Sequence, residues 1–226
     1  MLYAVAALLV LLLIFGPQAW VRSQMSRHAA ARPDLPGTGG ELARHLLDRF
    51  QLGAVTVETT ERGDHYDPEA RAVRLSQDNH DGRSITAVAV AAHEVGHALQ
   101  HAEGSSLLAA RSMLARTLGI VDKVAMAVLI TAPLVAAVTH VPALGLMQFG
   151  VAIALLGIGL IVHLVTLPLE FDASFGKALP ILAGDGYLDQ RDLPAARGVL
   201  RAAAFTYVAG ALIGLLNFLR LLRIIR

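Results

Sequence analysis

Two histidines four residues apart, His93 and His97, enclose Glu94 in the run Ala91-Ala92-His93-Glu94-Val95-Gly96-His97-Ala98-Leu99-Gln100. On a helix, residues four apart stand one above the other on the same face, so the two imidazoles can offer nitrogens to one metal ion while Glu94 projects beside them. This is the layout of a zinc hydrolase. Zinc held by three protein ligands keeps a fourth position for water, lowers that water's pKa and polarises a carbonyl, while a nearby carboxylate passes the proton to the leaving amine. An H-E-x-x-H arises by accident in on the order of one chain in a hundred of this length, so the spacing needs a helix to support it. Ser84 is a residue type suited to an N-cap, and Ile85 to Gln100 contains neither proline nor a helix-breaking glycine pair. The helix is therefore predicted independently of the motif.

Two histidines leave zinc one protein ligand short. The 226 residues include no cysteine, which excludes disulfides and thiolate zinc sites and leaves His, Asp and Glu as ligands. His101 continues the same helix two turns above His93, about 12 Å along the axis, and cannot close on the same ion. A third ligand on the same segment, in the metzincin manner, would need glycine at position 100 and histidine at 103. Gln100 and Glu103 stand there instead, which argues against that class without excluding Glu103. After Glu103 the chain has one glutamate, Glu170, where a long apolar run ends. A carboxylate at a membrane boundary is costly without a partner, and zinc would be one. Asp122 is the alternative ligand.

The elements that must position these residues are strongly apolar. Of the chain, 55% is apolar and 16% charged, against about 25% charged in soluble domains. With a mean hydropathy of +0.56, this points to several membrane segments. The net charge of +1 gives no argument for nucleic acid as a partner. Residues 2–21 read as a first transmembrane helix, followed by Arg22, Arg27 and Arg32, which by the positive-inside rule hold the next segment in the cytoplasm. A cleaved signal peptide is the alternative, but no basic stretch precedes the apolar core.

Residues 22–117 are expected to form a cytoplasmic zincin-like portion. It comprises a linker over 31–40, an amphipathic helix over 41–52, strands over 54–59 and 71–76 separated by a turn over 61–68, a polar loop over 77–83, and the His93 helix. Residues 118–169 are expected to form a transmembrane hairpin, with a kink at Pro133. Residues 170–201 should carry the third ligand and a further helix, and residues 202–226 a fourth apolar helix with a basic C-terminus. The terminal arginines would fall outside if that last helix spanned fully, so its topology is left open. The expected fold class is a mainly α integral membrane protein with a small α+β cytoplasmic portion, a zincin-like active-site helix and three to four transmembrane helices.

Several stretches look like the signature blocks of the YugP-like family of bacterial membrane-bound neutral zinc metallopeptidases. They are Asp64-His65-Tyr66-Asp67-Pro68, Val73-Arg74-Leu75-Ser76, Ala87 to Ala98 around the motif, Thr166-Leu167-Pro168-Leu169-Glu170-Phe171-Asp172-Ala173-Ser174, and Ala202 to Ala209. The resemblance covers most of the chain in order. It implies a zinc peptidase of the gluzincin type, with His93, His97 and Glu170 binding Zn2+ and Glu94 as general base; with the arginine-rich segments, the expectation is a multi-pass protein of the bacterial inner membrane whose active site faces the cytoplasm. Distantly similar membrane proteases of the HtpX-like type carry an aspartate four residues after the third glutamate. Ser174 occupies that place here, and Asp172 stands two residues after Glu170, which leaves its role in orienting a zinc histidine open.

For the oxyanion, His65 and Tyr66 are candidate hydrogen-bond donors, and Tyr207 is a third by resemblance alone. An ordinary structural turn accounts equally well for the first two. His163, two turns before Glu170, reads more readily as a packing histidine. The expected partners are a protein or peptide substrate, membrane-associated in the simplest case, and the lipid bilayer. Quality control of membrane proteins is one role that fits. A noncatalytic zinc-binding membrane scaffold or chaperone is the rival reading, and a zinc hydrolase of lipidated substrates a third. Nothing in the sequence reports the oligomeric state.

Overall fold

The structure, a computed structural model, describes residues 2–184 and 186–206. These residues are mostly helical with one small sheet. They fall into two compact units, one taking in residues 2–15 and 110–166, the other Gly16–Ala109 and Leu167–Thr206. Helix α1 (Leu2–Arg27) opens the chain.

In the second unit, local polar chemistry sets where helices begin. Helix α2 (Gly39–Arg49) starts in a capping box, the Thr38 hydroxyl accepting from the Glu41 N–H at 3.2 Å and the Glu41 carboxylate from the Thr38 N–H at 2.8 Å. Helix α4 (Ile85–Ala102) starts at Ser84, whose Oγ accepts from the Ala87 N–H at 3.1 Å, as the sequence predicts. Every residue of α4 from Ile85 to Ala98 is buried. Its alanines and valines leave no polar face for solvent, which suits a central helix packed on all sides.

The sheet has three strands, one more than expected: β1 (Thr56–Thr59), β2 (His65–Asp67) and β3 (Ala72–Leu75), in the order β1-β3-β2. β3 runs parallel to β1, with Thr56 opposite Ala72, and antiparallel to β2, with His65 opposite Arg74. The additional strand β2 lies inside the stretch expected as a turn. Two contacts extend it: Tyr66 turns inward to 6% exposure, and the Arg74 guanidinium bridges Asp67 of β2 at 2.6 Å and Glu58 of β1 at 3.0 Å. The Asp64 carboxylate accepts from the Ser76 N–H and from Asn79 Nδ2, securing the entry to the single-turn helix α3 (Gln77–His80), which replaces the expected loop. A common core joins Leu46 and Leu47 of α2, Val73 and Leu75 of β3, α4, Leu169, Leu182 and Leu200.

The first unit takes in α5 (Ser106–Thr139) from Ala110 onward, and the helix is continuous through Pro133. His140, at φ 54°, turns the chain into α6 (Pro142–Phe171). A Cβ on Gly145 would lie 2.8 Å from Ala136 Cβ and 2.9 Å from the Ala132 carbonyl, so α5 and α6 meet through small residues. Ile130, Leu134, Val138, Leu146 and Met147 are 63–71% exposed. By length and composition α5 can cross a membrane; among the described residues it is the one such helix, with a shorter apolar stretch at Pro142–Leu155. Tyr207, the expected fourth segment beyond residue 206, Asp185, and the side chains of Asp122 and His163 lie outside the described part.

Beyond α6 come a π-helical segment (Asp172–Ala178), α7 (Leu179–Gly184), and α8 over residues 193–206. Arg32 ties the start of the second unit to its end. Its guanidinium meets both Asp192 oxygens at 2.9 and 3.0 Å and both Asp34 oxygens at 2.6 and 2.8 Å. These hydrogen bonds hold Asp34 at about 2, below its ordinary 3.8, and lower Asp192 too. A carboxylate whose folded value is depressed contributes stability above its unfolded pKa and loses it as pH falls towards the folded one. Denaturant unfolding should therefore show this contribution level above about pH 4 and fading between about pH 4 and 2. Arg32→Ala is expected to flatten that part of the pH profile.

Candidate metal centre

Helix α4 presents His93 and His97 one turn apart, their ring centroids 4.8 Å from each other and their planes at 78°. The end of α6 presents Glu170, whose Oε2 lies 3.3 Å from Nε2 of His93 and 3.3 Å from Nε2 of His97. One ligand atom from each of the three residues lies within 4.8 Å of the others, and all three side chains are buried. All of them belong to the second unit. Glu94, between the histidines in sequence, is also buried, at 5% exposure.

The donor set fits zinc. Two imidazole nitrogens and a carboxylate oxygen are the ligands of a three-residue zinc site that keeps one position open. A tetrahedral ion with bonds of about 2.0–2.1 Å holds its ligand atoms about 3.3–3.4 Å apart. The two Nε2 to Oε2 separations match that edge length.

Close backbone packing brings the third donor in. A Cβ added to Gly96, inside the motif, would lie 2.8 Å from the Ala173 carbonyl oxygen and 3.3 Å from Ala173 Cα. Only a glycine there lets α4 touch the π-helical segment, whose wider turn is a frequent feature of functional sites. Beyond the ligand atoms, His93 Nδ1 meets Ser174 Oγ at 3.0 Å and His97 Nδ1 meets Gln100 Oε1 at 2.8 Å. Ser174, four residues after Glu170, thus stands against His93. Asp172 touches Gln100 rather than an imidazole, at 2.8 Å.

Of the other residues singled out by sequence, Glu103 is held elsewhere: its carboxylate pairs with Lys177 Nζ at 2.7 and 2.8 Å and is 60% exposed. His101 Nδ1 meets the Tyr66 hydroxyl at 2.8 Å. His65 Nδ1 lies 2.8 Å from the Gly63 carbonyl within its own turn. Neither His65 nor Tyr66 belongs to the His93, His97 and Glu170 group. Burial raises the Tyr66 phenol above its ordinary pKa. A cavity of about 350 Å³ lies beside it, lined by Leu52, Tyr66, Arg71, Ala98 and His101 among others.

Gly96, Gln100 and Ser174 went unassigned in the sequence. Gln100 carried a signal, since it follows His97 by three residues on one helix face. So did Ser174, one turn after Glu170.

A buried pair of histidines on an H-E-x-x-H helix, joined by a glutamate from a later helix, defines a metal centre whose donors suit zinc. The chain belongs to the family described as "putative neutral zinc metallopeptidase", whose sequence model matches residues 3–226. It is 37% identical over 227 residues, spanning 99% of this chain and 96% of the relative, to "Putative membrane protease YugP" of Bacillus subtilis (strain 168). No solved structure matches it.

The contact at Gly96 sets opposing effects against each other in Gly96→Ala. Helix propensity favours alanine by about 1 kcal/mol, whereas overpacking against backbone that cannot swing aside costs about 1–3 kcal/mol. Thermal unfolding in detergent should show net destabilisation, and zinc titration weaker binding, because the Cβ pushes the segment after Glu170 away from α4.

Proposed function

We propose that the chain is a multi-pass, membrane-embedded zinc endopeptidase in which His93, His97 and Glu170 hold the ion and Glu94 is the general base. The convergence of the three buried donors on one point, beside a motif that supplies its own carboxylate, is the observation that carries this reading. Zinc supplies Lewis-acid activation of water and of the scissile carbonyl when it is bound. Glu94 takes the proton from the attacking water and returns it to the leaving amine.

For the oxyanion, Tyr66 is the first choice over His65 and Tyr207. It is buried, and its hydroxyl already lies against His101, one turn beyond His97 on α4. Ala98 and His101 line the 350 Å³ cavity and fall on the helix stripe that starts at Glu94, a suitable place for part of an extended peptide.

The membrane assignment draws support from the length of α5, from the large apolar side chains exposed on the α5 and α6 hairpin, and from the relative's description as a membrane protease. The layout we propose has a transmembrane helix over 2–21, a catalytic portion over 22–117 and 170–201, a hairpin over 118–169 and a fourth apolar helix from 202. The positive-inside rule applied to Arg22, Arg27 and Arg32 supports a catalytic portion in the bacterial cytoplasm. Membrane-associated or misfolded proteins are the substrates we infer.

Glu94→Gln should keep its zinc by metal analysis and lose peptidase activity by about 10²- to 10⁴-fold. Undiminished activity would refute the mechanism, and a noncatalytic zinc scaffold would show no chelator-sensitive cleavage even in the wild type. Glu170→Ala should fall well short of one zinc per chain. Full occupancy in that variant would move the third ligand elsewhere.

A further inference from the structure

The hydrogen bonds behind the two histidines determine where their protons sit. Gln100 Nε2 donates to the Leu169 carbonyl at 2.9 Å and to Asp172 Oδ2 at 2.8 Å. A carbonyl and a carboxylate only accept, so both amide hydrogens of Gln100 are committed and the amide has one orientation. Its Oε1, 2.8 Å from His97 Nδ1, is left to accept. His97 therefore carries its proton on Nδ1 and keeps a lone pair on Nε2, the nitrogen 3.3 Å from Glu170. Ser174 treats His93 in the same way. Its single hydroxyl hydrogen goes to the Leu200 carbonyl at 3.0 Å, so its Oγ accepts from His93 Nδ1. A neutral imidazole free of such partners can protonate either nitrogen, and the Nε2–H form would aim a hydrogen at the place where a cation must bind.

We infer that Gln100 is a positioning residue for the metal centre: held by Leu169 and Asp172, it locks His97 in the Nδ1–H tautomer and couples that ligand to the segment bearing Glu170. Gln100 and Leu169 are 69 positions apart, and Leu169 precedes Glu170 directly. One hydrogen-bonded chain thus sets the ligand from α4 and the ligand from α6 together. The inference rests on reading His93, His97 and Glu170 as ligands.

The test uses the full chain in detergent, with zinc affinity measured by competition against a chromophoric chelator. Gln100→Met removes both the acceptor for His97 and the donors to Leu169 and Asp172. It should weaken zinc binding about 10- to 100-fold. Gln100→Glu also loses the donors and brings a like charge towards Asp172, yet it keeps an acceptor for His97 Nδ1–H. It should hold zinc at least tenfold more tightly than Gln100→Met. A merely structural strut predicts the reverse order, or equal losses, and either result overturns the tautomer role. Nitrogen-15 NMR of the zinc-free protein with labelled histidine gives an independent reading, in which His97 should be protonated at Nδ1. A proton found on Nε2 would overturn the inference. A wild type that binds no zinc would instead refute the ligand assignment, with the NMR result still deciding the tautomer.

Discussion

Glu170 has no exposed surface, and its carboxylate stands 3.3 Å from two imidazole nitrogens. A buried carboxylate is stabilised by a positive charge close by, and the centre of this cluster is where one would sit. A proton on one histidine supplies that charge for one pair. A divalent cation supplies it for all three donors at once, and the two Nε2 to Oε2 separations already suit a tetrahedral ion. Much of the second unit serves this cluster. Helix α4 is built of alanine, valine and glycine, so α2 and the π-helical segment can close around it and keep water from the cluster.

The part of this arrangement governed by local chemistry was legible in the sequence. Ser84 caps α4 because its hydroxyl needs only the next turn's N–H, and the spacing of His93 and His97 is a property of any helix. Glu170 was reached by elimination, since the chain offers one glutamate after Glu103. The strand β2 was hidden because Gly63, Asp64, Asp67 and Pro68 are turn residues by type. What extends the chain there is the cross-strand reach of Arg74. The π-helical segment has no sequence signature. Gln100 was read only as the absence of a glycine. Its partner, the Leu169 carbonyl, lies 69 residues away and comes within reach only when the segment from Leu167 has closed on α4.

The same logic explains why serine is sufficient at position 174. An aspartate there would accept from His93 Nδ1 with a full negative charge, adding another buried acid to Glu94 and Glu170. A serine anchored by the Leu200 carbonyl accepts the same hydrogen bond without that charge. Asp172 stays one residue further out, behind Gln100, where an uncharged amide separates it from the imidazole. The two Nδ1 atoms thereby meet neutral partners, and no further acid is added to Glu94 and Glu170 beside the histidines.

The compact unit that contains the metal centre is interrupted in the chain by residues 110–166. The consequence concerns synthesis. At translation rates of about 5–20 residues per second, Glu170 follows His97 off the ribosome by on the order of 4–15 s, and Leu200, which anchors Ser174, later still. Throughout that interval the nascent chain holds His93, Glu94 and His97 but not Glu170. A metal centre assembled in this order cannot close until the intervening helices have been made.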